Sequence, residues 1–174
     1  MAYEGEILSE CPSDIDFAAC WAVVVSGAKW NPCGHMMFSC GSNSENSWYF
    51  HVAGQGVKEA MGVYGFPKFM RGDRNYYRYL TDNGKREIRR LDARLTNPAG
   101  AYQKLMSLMA DKWFWGVLWN NCAVFAKDII VAGGGSVEIL HNCPDKEFAQ
   151  KADKAIDAAA KGIIESLPYG LGGF

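Results

Sequence analysis

Apolar positions along the chain change period near its middle. In the first half they come in short runs broken by Gly, Pro and polar clusters. Residues 21–25 (WAVVV), 35–41 (HMMFSCG) and 48–54 (WYFHVAG) read as three strands. GAKWNPCG, with its Pro and Gly punctuation, is the loop between the first two. SNSENS is a polar turn, so the second and third strands are expected to pair as an antiparallel hairpin. GQGVKEAMGVYGFPKFMRGD reads as a long loop. RNYYRYL (74–80) and KREIRRLDARL (85–95) read as another hairpin, turned at Asp82-Asn83-Gly84.

After Asn97-Pro98 the period becomes helical. AGAYQKLMSLMADKWFW places Tyr102, Leu105, Met106, Met109 and Trp113 on one face. Asn97 suits the N-cap and Pro98 the first helical position. Residues 115–121 (WGVLWNN) are a linker. Cys122 to Ala132 reads as a second helix, stopped by Gly133-Gly134-Gly135. Residues 136–140 read as a short strand, 145–167 as an Ala-rich amphipathic helix, and PYGLGGF as a loose tail. Strands first and helices after them predict an α+β fold in a single domain over 1–174, with its core in about 20–135.

Composition narrows the function classes. The 174 residues are 49% hydrophobic and 21% charged, with a net charge of −1, so no global field favours nucleic acid or a membrane surface. The acidic, polar N-terminus lacks the basic and apolar regions of a secretory signal. No stretch reaches the roughly 20 apolar residues of a membrane helix. Synthesis in the cytoplasm is the expectation, with signal-independent secretion left open. Six cysteines without a signal peptide are expected to be free thiols rather than disulfides.

Three residues change the picture. Cys122 opens a helix, where free N–H groups and the positive dipole end stabilise a thiolate. His35 and His51 lie on strands expected to pair, so their imidazoles could share a face. A cysteine at a helix start is ordinarily a small buried hydrophobe, and a lone strand histidine is ordinarily structural. Together, a thiol, two imidazoles and a helix N-terminus are the parts of thiolate catalysis. Asn121, or Asn120, caps the helix. Asn121 and Cys122 are the candidates for holding an oxyanion.

The segments GHMMFSCG, WYFHVAG and WNNCAVFAKDII resemble the circularly permuted, papain-like branch of the NlpC superfamily, best known from lecithin–retinol acyltransferase-like proteins. They are also similar to the permuted desumoylating isopeptidases. In that branch a histidine sits on an early strand, a second polar residue on the next, and the nucleophile in an Asn-Cys-x-x-Phe motif at a later helix start. The corresponding residues here are His35, His51 and Asn121-Cys122-Ala123-Val124-Phe125. The family usually has a polar residue two after the cysteine, where this chain has Val124. The resemblance implies a permuted papain-like fold, an antiparallel sheet packed against the cysteine helix. It also implies acyl transfer through a thioester, with Cys122 as nucleophile, His35 as acid and base, and His51 orienting His35. That assignment of the two histidines rests on analogy.

The implied substrate is a lipid acyl ester, as for a phospholipase or acyltransferase. The rival is an amide in a cell-wall peptide or an isopeptide bond, and a third reading is a non-catalytic binding module. A bacterial toxin role fits either activity and would bring an immunity-type inhibitor protein as partner. Around Cys122, Trp115 and Trp119, with Tyr64 and Phe66 of MGVYGFPKFM, read either as core or as an apolar groove or membrane-touching lip. The basic run 85–90 reads as a solvated face. Cys33, His35, Cys40 and His51 do not have a zinc spacing, and His141 with Cys143 reads as a surface pair. Gly133–Gly135 follows a helix rather than opening one, so it is no phosphate loop, and neither a metal nor a cofactor is expected.

Overall fold

The computed structural model describes residues 1–27, 34–52, 61–116 and 122–136, with isolated helical positions at 154, 158 and 159. The expected segments 137–140 and most of 145–167, and the tail, lie outside the described residues. Strands β1 (Glu6–Ile7), β2 (Cys20–Val25), β3 (His35–Cys40), β4 (Trp48–His51), β6 (Lys68–Arg71) and β7 (Glu87–Asp92) form one antiparallel sheet. Its order is β1-β6-β4-β3-β2-β7. Strands β5 (Met61–Gly65) and β8 (Trp113–Gly116) pair separately. The helices are α1 (Asp73–Asp82), α2 (Pro98–Met109) and α3 (Cys122–Ala132). The α+β expectation and the β3–β4 hairpin stand.

Every β3 and β4 residue is buried because both faces of the sheet are covered. Ala22, Val24, Met36, Phe38 and Phe50 pack with Leu105 of α2 and with Phe125 and Ile129 of α3. Val23, Val25, Met37 and Tyr49 face the other way and pack with Tyr76, Tyr79 and Leu80 of α1.

The segment 74–80 is a helix rather than a strand. Its tyrosines alternate loosely enough to suggest a strand, but Tyr76, Tyr79 and Leu80 share the buried helical face while Tyr77 is exposed. Asp82-Asn83-Gly84 is then a helix end rather than a hairpin turn. Gly84, at φ 59°, puts its N–H on the Thr81 carbonyl at 3.2 Å, and Lys85 bonds the Leu80 carbonyl at 2.8 Å. Turn chemistry and this cap use the same Asn-Gly pair, which is why the sequence alone misleads. The expected loop after residue 54 contains β5 and β6. Helix α2 stops at Met109, short of Trp113, which begins β8. Asn97 does cap α2, its side chain accepting from the Gly100 N–H at 3.0 Å.

Helix α3 has the expected bounds and ends as the triple glycine predicts. Gly134 N–H bonds Val131 and Gly135 N–H bonds Ile130, both at 2.9 Å. The Gly133 carbonyl takes the N–H groups of Thr96 and Asn97, which ties this end of α3 to the start of α2. Gly134 has φ 72°, and a Cβ there would meet Thr96 Oγ1 at 2.2 Å. Gly134→Ala is therefore expected to lower stability by about 1–2 kcal/mol in chemical denaturation. Gly84→Ala carries the same backbone strain in open space and should cost less.

Candidate functional site

The strand register decides where the site residues go. Gly41 N–H bonds the Ala19 carbonyl at 2.9 Å, one pair beyond the Cys20↔Cys40 partners of β2 and β3. Odd-numbered β3 residues therefore use their backbone on β2, and even-numbered ones aim it at β4. The β3–β4 register runs no further than Phe38↔Phe50. Met36, the next even position, has its N–H aimed beyond that last pair. There it lies near enough to the Cys122 sulfur to pull the thiol pKa downwards. The first residue of α3 thus reaches into the open end of the sheet, beside the peptide that joins His35 to Met36.

His35 and His51 share the odd face, towards α1. Their rings stand nearly perpendicular with centroids 5.0 Å apart, and His35 Nε2 lies 2.8 Å from His51 Nδ1. His51 Nε2 lies 2.8 Å from the carbonyl oxygen of Glu4. The edge of the Tyr79 ring packs against His51 at 5.3 Å.

This chain of contacts has only one polarity when both rings are neutral. A carbonyl oxygen can only accept, so His51 Nε2–H donates to Glu4. His51 Nδ1 is then bare and accepts from His35 Nε2–H. His35 Nδ1 is left with a free lone pair. Both rings are held neutral. Burial pushes His35 well below the ordinary imidazole range, helped by the charges of His51 and Lys85. Burial pushes His51 down to about 4 against the opposing pull of Glu4.

The same burial raises the Cys122 thiol, partly offset by the Met36 N–H, the Lys85 charge and the N–H groups of Ala123 and Cys122 itself. The resting site is thus a neutral thiol and a neutral imidazole rather than a preformed ion pair. Among the described residues, the side-chain hydrogen bond of His35 is to His51, and none to Cys122 is formed. The exposures separate the two histidines: His35 keeps 8% and Cys122 5%, while His51 has 0%. Of the two imidazoles, His35 is the one with access to solvent.

Protonation of His51 links the site to stability. Above about pH 6.5 the ring is neutral whether the chain is folded or unfolded. Between that value and about 4 the unfolded chain binds the proton and the folded one does not. Stability should therefore fall as the pH drops through this window, by a total on the order of 3 kcal/mol. Thermal unfolding from pH 7 to 4.5 checks this, and His51→Gln should flatten the slope.

Three neighbours carry no obvious mark in the sequence. Glu4 contributes a main-chain carbonyl, which no side-chain pattern announces. Tyr79 was hidden by the strand reading of 74–80. Lys85, expected on a solvated face, instead puts Nζ 3.3 Å from the Ser26 carbonyl, next to the Val25↔His35 pair. Its charge pulls the thiol and both imidazoles downwards.

Other candidates are placed less closely. Asn121 and Trp119 lie outside the described residues, as do Cys33, His141 and Cys143. Trp115 on β8 pairs in register with Val63, next to the Tyr64↔Phe114 pair. Phe66 follows β5 and is 38% exposed. Cys40 packs in the core on the α2–α3 side, as does Cys122, while the two histidines lie on the α1 face; the thiols of Cys40, Cys11, Cys20 and Cys122 are free. No helix among the described residues is long and apolar enough to cross a membrane. In comparisons with family models, curated proteins and solved structures, nothing matches this chain.

Proposed function

We propose that the chain is a permuted papain-like thiol enzyme that forms a thioacyl intermediate on Cys122, with lipid acyl esters as substrate. The observation that carries this reading is the fixed polarity of the His35–His51–Glu4 chain. It leaves a bare lone pair on His35 Nδ1, with the amide of the next residue, Met36, pulling the Cys122 thiol downwards.

In the proposed reaction His35 Nδ1 takes the thiol proton as the sulfur attacks the ester carbonyl. The Cys122 N–H, at the start of α3, is positioned to stabilise the oxyanion, with Asn121 as a second candidate. The imidazolium then returns its proton to the departing alkoxide. Water, or an acceptor alcohol or amine, gives its proton to His35 and attacks the thioester, releasing the acyl product and the thiolate, which is reprotonated. His51 holds the His35 ring throughout and never meets substrate. The substrate class rests on the family resemblance and on the apolar segments around Phe66 and β8.

Incubation with phospholipid vesicles and, separately, with peptidoglycan fragments tests it by mass spectrometry of the products. Fatty acid or lysolipid from the vesicles alone is expected. New peptide ends alone would overturn the lipid assignment in favour of an amidase.

A further inference from the structure

The carbonyl that ends the histidine chain belongs to neither of the strands carrying the histidines. It comes from Glu4, and the segment around it is bound from both sides. Tyr3 N–H bonds Asp82 Oδ2 at 3.0 Å, and Asn83 Nδ2 donates to the Tyr3 carbonyl at 2.9 Å. Arg78 lies over the Tyr3 ring, 4.5 Å from its centroid. Lys68 Nζ meets Glu4 Oε2 at 3.2 Å. Beyond it, β1 adds only two residues to the edge of β6, Glu6↔Phe69 and Ile7↔Lys68.

Tyr3 packs against the α1-side core and its bond from Asn83 is part-buried, but the other contacts are peripheral. Both partners of the Lys68–Glu4 pair are partly exposed, the Tyr3–Asp82 bond is exposed, and both β1 residues are exposed. Exposed ion pairs and two-residue edge strands hold weakly compared with a core. One position controls the fit. Gly5 has φ 97°, and a Cβ there would stand 2.6 Å from the Phe69 carbonyl oxygen, which belongs to a backbone fixed in the sheet.

We propose that the segment Tyr3 to Ile7 is a detachable strap that positions the histidine pair, the docked Glu4 carbonyl setting the polarity that turns a bare Nδ1 of His35 outward. When the strap leaves, His51 Nε2 loses the acceptor it has among the described residues. Either tautomer of His51 then becomes available. In the wrong one His51 Nδ1–H can only donate, so His35 must turn its lone pair inward and loses the base. Glu4 is thus a positioning residue that acts through its main chain. The consequence for turnover rests on the thiol-enzyme reading; the tautomer effect does not.

The test is Gly5→Ala in the full chain, with Glu6→Ala as the control that changes an exposed side chain of the same segment and keeps its backbone. Long-range 1H–15N NMR of the ring nitrogens reads the tautomers directly. In the parent chain and Glu6→Ala, both histidines should carry the proton on Nε2 alone. In Gly5→Ala both should become tautomer mixtures, and kcat should fall about a hundredfold with little change in KM. Should Gly5→Ala fail to fold, the surface variant Lys68→Met/Asp82→Ala should move the tautomers in the same direction. Fixed Nε2–H tautomers in the undocked variant would overturn the proposal, whatever the activity. Activity that survives Cys122→Ala would instead sink the thiol reading and leave the tautomer result to decide the strap.

Discussion

Cys122→Ala is expected to reduce turnover to background, a loss of about four orders of magnitude or more, while the chain stays folded. The sulfur is the protein atom that bonds the acyl carbon in the proposed reaction, so no neighbour can replace it. The change removes one heavy atom at the end of the sheet, and the core residues of α3, Phe125 and Ile129, keep their packing. Circular dichroism and thermal unfolding should therefore be close to those of the parent chain. A folded variant that still turns over substrate would end the nucleophile assignment.

His35→Gln should cost about a thousandfold in kcat, within the usual range for removing a positioned general acid–base group. Glutamine can still donate to His51 Nδ1, so the buried ring keeps its partner and the fold survives. What it lacks is a group that takes the thiol proton and returns it to the leaving group. The burial that raises the Cys122 thiol makes this loss severe, because no standing thiolate exists to attack without a base. The defect should shrink as the pH rises towards thiol ionisation. A comparison of kcat from pH 6 to 10 would show a steeper rise in the variant than in the parent. His51→Gln, by contrast, should cost less, since it changes the orientation of the base and not its presence.

The sequence foretold the parts that depend on local pattern. Strands β2, β3 and β4, helix α3 with its glycine stop, and the Asn97 cap all follow from runs and punctuation whose physical cause lies within a few residues. Helix α1 did not follow, because an Asn-Gly pair serves a hairpin and a helix end equally well. Only packing on Met37 and Tyr49 selects the face formed by Tyr76, Tyr79 and Leu80. The site divides in the same way. His35 and Cys122 are visible as residue types at a strand start and a helix start, and His51 at a strand end. The meeting of the two imidazoles needed the register of β3 and β4. The Met36 amide, the Glu4 carbonyl and the Lys85 charge are contributions of backbone and fold that no motif carries.

The neutral resting pair also separates this site from one with a preformed thiolate. A standing thiolate would alkylate quickly at neutral pH, and a single small reagent would expose it. Here reactivity towards iodoacetamide at pH 7 should be low and should rise with pH, since burial dominates over the helix N–H groups and Lys85. In the proposed reaction, carbonyl attack is then coupled to proton transfer to His35.

The proposed thioacyl enzyme is the most direct object to measure. The protein is mixed with acyl-ester vesicles, quenched in acid within the first turnovers, digested, and the peptide containing Cys122 is weighed. The expected result is a mass increase equal to one acyl group on Cys122, removed by neutral hydroxylamine. Turnover of ester with the Cys122 peptide unmodified at every quench time, and undiminished in Cys122→Ala, would contradict it.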